Sequence, residues 1–167
     1  MNTNFLTFAD RDIAIKEQIR KDKNIVYGGK AMNKNISFGI LRRPTLDFDV
    51  VSKKPLESAR KLEKKLDKKA GANIYYTKPA KYEHTVKVMS KGRNLKNPDD
   101  DYGVADFTSP QRKMNTVNKN GIRYARLEER ESDARRSLTK QEFVYRHDKD
   151  REDLNRIRMD RRLRWKN

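Results

Sequence analysis

Between Leu46 and Gly71 the chain passes from a strand directly into a helix, and that pairing restricts the fold more than any other stretch. Leu46-Asp47-Phe48-Asp49-Val50-Val51 is short, alternating and β-branched at its end, the pattern of a strand. Pro55 then opens a helix, because its φ is preset for the first turn and its missing N–H is not needed there. Leu56, Ala59, Leu62 and Leu66 recur at helical spacing until Gly71 ends the run. A strand feeding a helix needs other strands to pair with, and the neighbouring sequence supplies candidates. Upstream, Asn24-Ile25-Val26-Tyr27 reads as a buried strand that stops at Gly28-Gly29, with a helix start from Lys30 to Lys34. Gly39 and Arg42-Arg43-Pro44 interrupt that helix and force a looped approach to Thr45. Downstream, residues 73–77, 85–89 and 103–107 are β-rich, and Ile13, Ile15 and Ile19 predict an amphipathic helix over 9–21. The expected class is therefore α/β with a mixed sheet.

How much of the chain that sheet can organise depends on composition. Hydrophobic residues are 34% and charged residues 39% of 167, so the core is thin and one domain is expected. Residues 1–126 hold the α/β pattern. From Leu127 the composition turns to Glu, Arg, Asp and Lys, predicting a basic helical extension, 127–167, that packs on the first part. Its apolar stripe is sparse, with Leu154, Ile157 and Leu163. A formal charge of +17 attracts polyanions, nucleic acid first among them. A basic surface serving solubility, or residence beside an anionic assembly, has the same composition. With no cysteine, disulfides, thiolate metal sites and cysteine nucleophiles are excluded. His84 and His147 are far apart without ligand spacing and read as surface or capping residues. The first twelve residues include Asp10 and Asp12, and no later run approaches a membrane span, so a soluble chain is expected, cytoplasmic or, if viral, virion-associated.

Chemistry concentrates in Asp47-Phe48-Asp49. Residues two apart on a strand point the same way, which would put both carboxylates on one face and Phe48 in the core. Two like charges there call for a cation, and Mg2+ or Mn2+ suits oxygen ligands while taking further ligands from substrate phosphates. A third carboxylate on a neighbouring strand would complete a two-metal site, and Asp106 is the candidate. Asp99, Asp100 and Asp101 follow Pro98 and read as loop. Gly28-Gly29 at the start of a helix leaves backbone amides bare for anionic phosphate. Alone, an Asp-x-Asp is also a solvated pair and a Gly-Gly also a plain turn; the order of elements is what joins them.

That order resembles the nucleotidyltransferase superfamily, which includes DNA polymerase beta, the poly(A) and CCA-adding polymerases and minimal stand-alone or viral members. The resemblance implies a small palm of mixed sheet flanked by helices, with a charged helical tail. It implies that Gly28 and Gly29 bind a nucleoside triphosphate with Lys30 and Asn33 close by, and that Asp47, Asp49 and Asp106 hold Mg2+ or Mn2+. Arg42, Arg43 and Lys149 are then candidates for phosphate or nucleic-acid contact. The implied reaction moves a nucleoside monophosphate to a hydroxyl acceptor, RNA or tRNA more than DNA. The alternative is an inactive palm-fold basic protein with a structural or nucleic-acid-binding role in a larger assembly, viral or not. Asn120-Gly121-Ile122-Arg123 with Leu127-Glu128-Glu129, and Arg146 to Asp150 with Asp153-Leu154, resemble the later segments of minimal members. One departure is the seventeen residues from Lys30 to Leu46 between the glycines and the aspartates, longer than in compact members.

Overall fold

A computed structural model describes residues 5–92 and 94–166, so the first four residues of the N-terminal stretch lie outside the described part. Helices α1 (Phe8–Lys21), α2 (Gly28–Asn35) and α3 (Pro55–Ala70) alternate with strands β1 (Ile25–Tyr27) and β2 (Phe48–Val51). Strands β3 (Tyr75–Pro79), β4 (Thr85–Ser90), β5 (Tyr102–Thr108), β6 (Thr116–Lys119) and β7 (Ile122–Ala125) follow. Helices α4 (Leu127–Leu138) and α5 (His147–Trp165) close the chain. The seven strands form one mixed sheet in the order β3-β4-β5-β2-β1-β7-β6, which confirms the expected α/β class. Pairing is parallel for β2–β5 and β1–β7 and antiparallel elsewhere.

The core follows from strand alternation. Phe48 pairs with Ala105 and Val50 with Phe107, and all four are buried. Ala14, Ile15 and Ile19 of α1 and Ala59, Leu62 and Leu66 of α3 belong to the same cluster. The buried positions of α1 are 11, 14, 15, 18 and 19, the spacing of one helical face, so Ile13 falls off that stripe and is exposed. Leu56 is likewise exposed; in its place Ser58 is buried in α3, its hydroxyl 2.8 Å from that of Ser52. The β6–β7 hairpin was not expected as strands. Its signal was Asn120-Gly121, which adopt φ of 54° and 77°, the pair of left-handed residues that a tight two-residue hairpin turn demands.

A second cluster joins Met32 of α2, Ile36 just after it, Leu41, Leu127 of α4 and Ile157 of α5. The buried residues of α5 are Asp150, Asp153, Ile157 and Asp160, a helical stripe that is mostly acid. Each carboxylate has partners. Asp150 accepts from Arg130 at 2.6 Å and from Arg146 at 3.1 Å. Asp153 accepts from Arg43 at 2.8 Å and from Arg130 at 2.6 Å, and Asp160 from the Ser37 amide at 2.8 Å. Of the apolar stripe expected on this helix only Ile157 is fully buried, and buried ion pairs take the other positions. Among the described residues no helix is long and apolar enough to cross a membrane.

Candidate active site

Parallel pairing of β2 with β5 sets Asp49 opposite Asp106 in register. Their neighbours on both sides turn into the core, so the two carboxylates leave the sheet together on the other face. Asp47 differs from expectation: the strand begins at Phe48, and Leu46 is 61% exposed. Pro44 withholds a ladder donor just upstream, and residues 42–47 stay irregular. Asp47 still acts on both acids through its charge. Burial pushes the Asp49 carboxyl up to about 6, with Asp47 and then Asp106 adding to the rise and Lys149 and Arg146 opposing it. Burial also raises Asp106, against the pull of Lys87, whose ammonium lies 3.1 Å away on β4. The second oxygen of Asp106, Oδ1, is buried without a hydrogen-bond partner.

Gly28 sits against this pair. Its φ is +62°, and a Cβ there would lie 2.0 Å from Oδ2 of Asp49, so both conformation and space require glycine. Gly28→Ala is expected to lose roughly 1–2 kcal/mol from the left-handed φ alone, and more from overlap. At roughly 2–4 °C per kcal/mol for a chain of this size, thermal unfolding should show a fall of several degrees.

Gly29 abuts Arg43, with a Cβ there only 2.7 Å from the guanidinium. Around Asp49 and Asp106 a cleft of about 310 Å³ is closed by Arg130, Arg136, Arg146 and Lys149 from the C-terminal helices and their connection. Tyr82 of the β3–β4 turn and Phe143 stand at its wall, their ring centroids 6.3 Å apart. Tyr27 lines the floor, and burial raises its phenol, reinforced by Asp49. Two acids thus face a group of cations, an arrangement able to hold a phosphorylated anion above carboxylates.

Of the residues singled out in sequence, Gly28, Gly29, Arg43, Asp49, Asp106 and Lys149 line this one cleft. Lys30 and Asn33 do not. Lys30 pairs with Asp12 at 2.9 Å and lies over the Phe48 ring, while Asn33 fixes the backbone of Arg43 through bonds of 2.5 and 3.1 Å. Both line a neighbouring groove with Arg42. Asp101 accepts from Tyr76 and the Gly92 amide and so holds a loop. His84 occupies the β3–β4 turn with φ 64°, and the His147 ring caps the end of α4 at the Ser137 carbonyl, 3.0 Å away. Arg130, Arg146, Lys87, Tyr82 and Phe143 were not anticipated. Arg146 and Asp150 stand one helical turn apart, a spacing that signals a paired rather than solvated arginine.

No known sequence family and no curated protein matches the chain. Solved structures do. The Megavirus polyadenylate synthase aligns with a TM-score of 0.68 at 20% identity, over 92% of this chain and 32% of that one. The JHP933 protein of Helicobacter pylori aligns with a TM-score of 0.50 at 12% identity, over 82% of this chain and 57% of that one. The chain therefore spans about a third of the viral structure's length. At these identities the likeness is one of fold alone: the chain shares its fold with part of the viral polyadenylate synthase.

Proposed function

We propose that this chain is a nucleotidyltransferase that uses Mg2+ or Mn2+ to join a nucleoside monophosphate, taken from a triphosphate, to a hydroxyl of RNA or another nucleic acid. The observation that supports it best is the in-register pair Asp49 and Asp106, facing one cleft with cations opposite and glycine backbone beside them. The donor set fits a hard divalent ion, because Asp106 Oδ1 is buried without a partner and Asp49 stands across from it. Among the described residues no three of His, Asp and Glu converge enough to enclose an ion by themselves. Asp47 and Asp49, with Asp106, would share the ion with water and triphosphate oxygens, as Mg2+ prefers. When bound, such an ion supplies Lewis acidity toward the phosphate and a lower pKa for an attacking hydroxyl.

The chain's own residues then do the following. Amides at Gly28 and Gly29 receive phosphate oxygens at the start of α2. Arg146 and Lys149 offset triphosphate charge, as they already offset the charge of Asp49. The acceptor oxygen forms a bond to the α-phosphorus, the bond to pyrophosphate breaks, and the hydroxyl proton passes toward Asp106.

A second reading, a palm without turnover, has one observation in its favour: Lys87 already neutralises Asp106. One experiment separates them. The chain is incubated with labelled nucleoside triphosphates, Mg2+ or Mn2+, and RNA. Label appearing on the RNA is expected; none with any nucleotide or either metal overturns the transferase reading.

A further inference from the structure

A groove of about 650 Å³ lies beside the cleft, between α1, α2 and the β6–β7 turn. Lys16 and Arg20, one helical turn apart on α1, face Lys34, Arg42 and Lys119 across it. Its one acidic residue, Asp12, is taken by Lys30. The hydrogen bonds made by the others end on carbonyls: Arg20 to Asn120 at 3.2 Å, Arg42 to Ile36 at 3.2 Å and Lys119 to Lys34 at 2.7 Å. Among the described residues, none of these five cations has an ion-pair partner. Elsewhere the positive charge is partly balanced, as where Lys54 and Lys61 share Glu57 and Lys65 pairs with Glu17. In the groove it is not. Burial and then the charges of Lys34, Arg164 and Arg42 hold the Lys119 amine below its usual value, which shows how closely like charges are crowded there.

We propose that this groove binds the phosphate backbone of a single nucleic-acid strand. Like charges gathered in a concave surface repel one another, and a polyanion relieves that repulsion while releasing its own counterions. The cations come from four separate segments, so they match charge spaced along a strand better than one compact phosphate. Arg43 belongs to the wall of both the groove and the Asp49 cleft, so a strand lying here leads toward the carboxylates. Contacts from these guanidinium and ammonium groups to phosphate position a strand in the groove. The groove thus names the acceptor site of the proposed transfer, and it rests on that reading only for the strand's destination.

The test is anisotropy of a labelled single-stranded RNA across a salt series. Wild type is compared with Lys16→Glu/Lys34→Glu/Lys119→Glu and with Lys64→Glu/Lys68→Glu/Lys69→Glu, which changes net charge equally on exposed positions of α3. The groove variant is expected to bind at least about tenfold more weakly at 0.1 M salt, with a log–log salt slope reduced by about 2 for three lost phosphate contacts. The α3 variant should stay near wild type. Equal loss in both, or none in the groove variant, overturns the proposal. Should charge reversal disturb folding by circular dichroism, Arg42→Gln/Lys119→Gln is read instead, with a slope reduced by about 1.4 for two lost phosphate contacts. RNA binding without nucleotide transfer defeats the enzymatic reading alone, whereas transfer with RNA binding unchanged in the groove variant defeats the groove alone.

Discussion

Asp49→Asn is expected to reduce nucleotide transfer by on the order of 10³-fold, the scale seen when one preorganised charge-stabilising group is removed from an active site. The same substitution is expected to make the metal-free protein more stable at pH 8. The Asp49 carboxyl rises from 3.8 to about 6 because it is buried beside Asp47 and Asp106. A raised acid binds its proton more tightly in the folded state, so the folded form takes up more protons between those values. The contribution of Asp49 to stability is therefore greatest below about 3.8 and is lost as pH rises through about 6. That rise corresponds to on the order of 3 kcal/mol. Thermal unfolding with a chelator, from pH 4 to pH 8, should show wild type falling behind Asp49→Asn as pH rises, and Mg2+ or Mn2+ restoring wild type only. A variant less stable than wild type at pH 8 would show that the charge of Asp49 is already compensated without an ion.

Asp153→Ala should be the most damaging single change outside the cleft. The carboxylate is fully buried and accepts from both Arg43 and Arg130, so its removal strands the Arg43 guanidinium and leaves Arg130 with Asp150 alone. Breaking a buried pair from one side costs about 3–5 kcal/mol, or roughly 10 °C for a chain of this size. Transfer activity should fall with it, because Arg43 and Arg130 both line the cleft. Denaturant unfolding monitored beside activity tests this. If Asp153→Ala unfolds at the wild-type midpoint, the acidic stripe of α5 is not what holds the tail in place.

The parts legible in sequence were those written in local pattern. The helix from Pro55, the strand ending at Tyr27 and the Asp49 strand could be read because alternation, proline and glycine act within a few residues of themselves. Asp106 could be chosen over Asp99, Asp100 and Asp101 for the same reason, since β-branched and aromatic neighbours mark a strand and Pro98 marks a turn. The tail could be read as helical, but what it buries could not, because Asp150, Asp153 and Asp160 occupy the positions that a search for apolar periodicity expects to find filled by leucine or isoleucine. Burial of those acids depends on arginines from distant segments, and no local pattern shows that they arrive.

The same division holds for the site. Residue types and their chemistry, paired carboxylates, bare glycines and surplus cations, were set by the sequence itself. Which of them meet was decided by tertiary structure: the parallel β2–β5 register opposes Asp49 and Asp106, and Lys30 and Asn33 turn into a neighbouring groove although they lie on the helix that the glycines open. Strand register and helix rotation are set by what the core buries across long sequence separations, and a chain read from one end to the other carries no record of that choice.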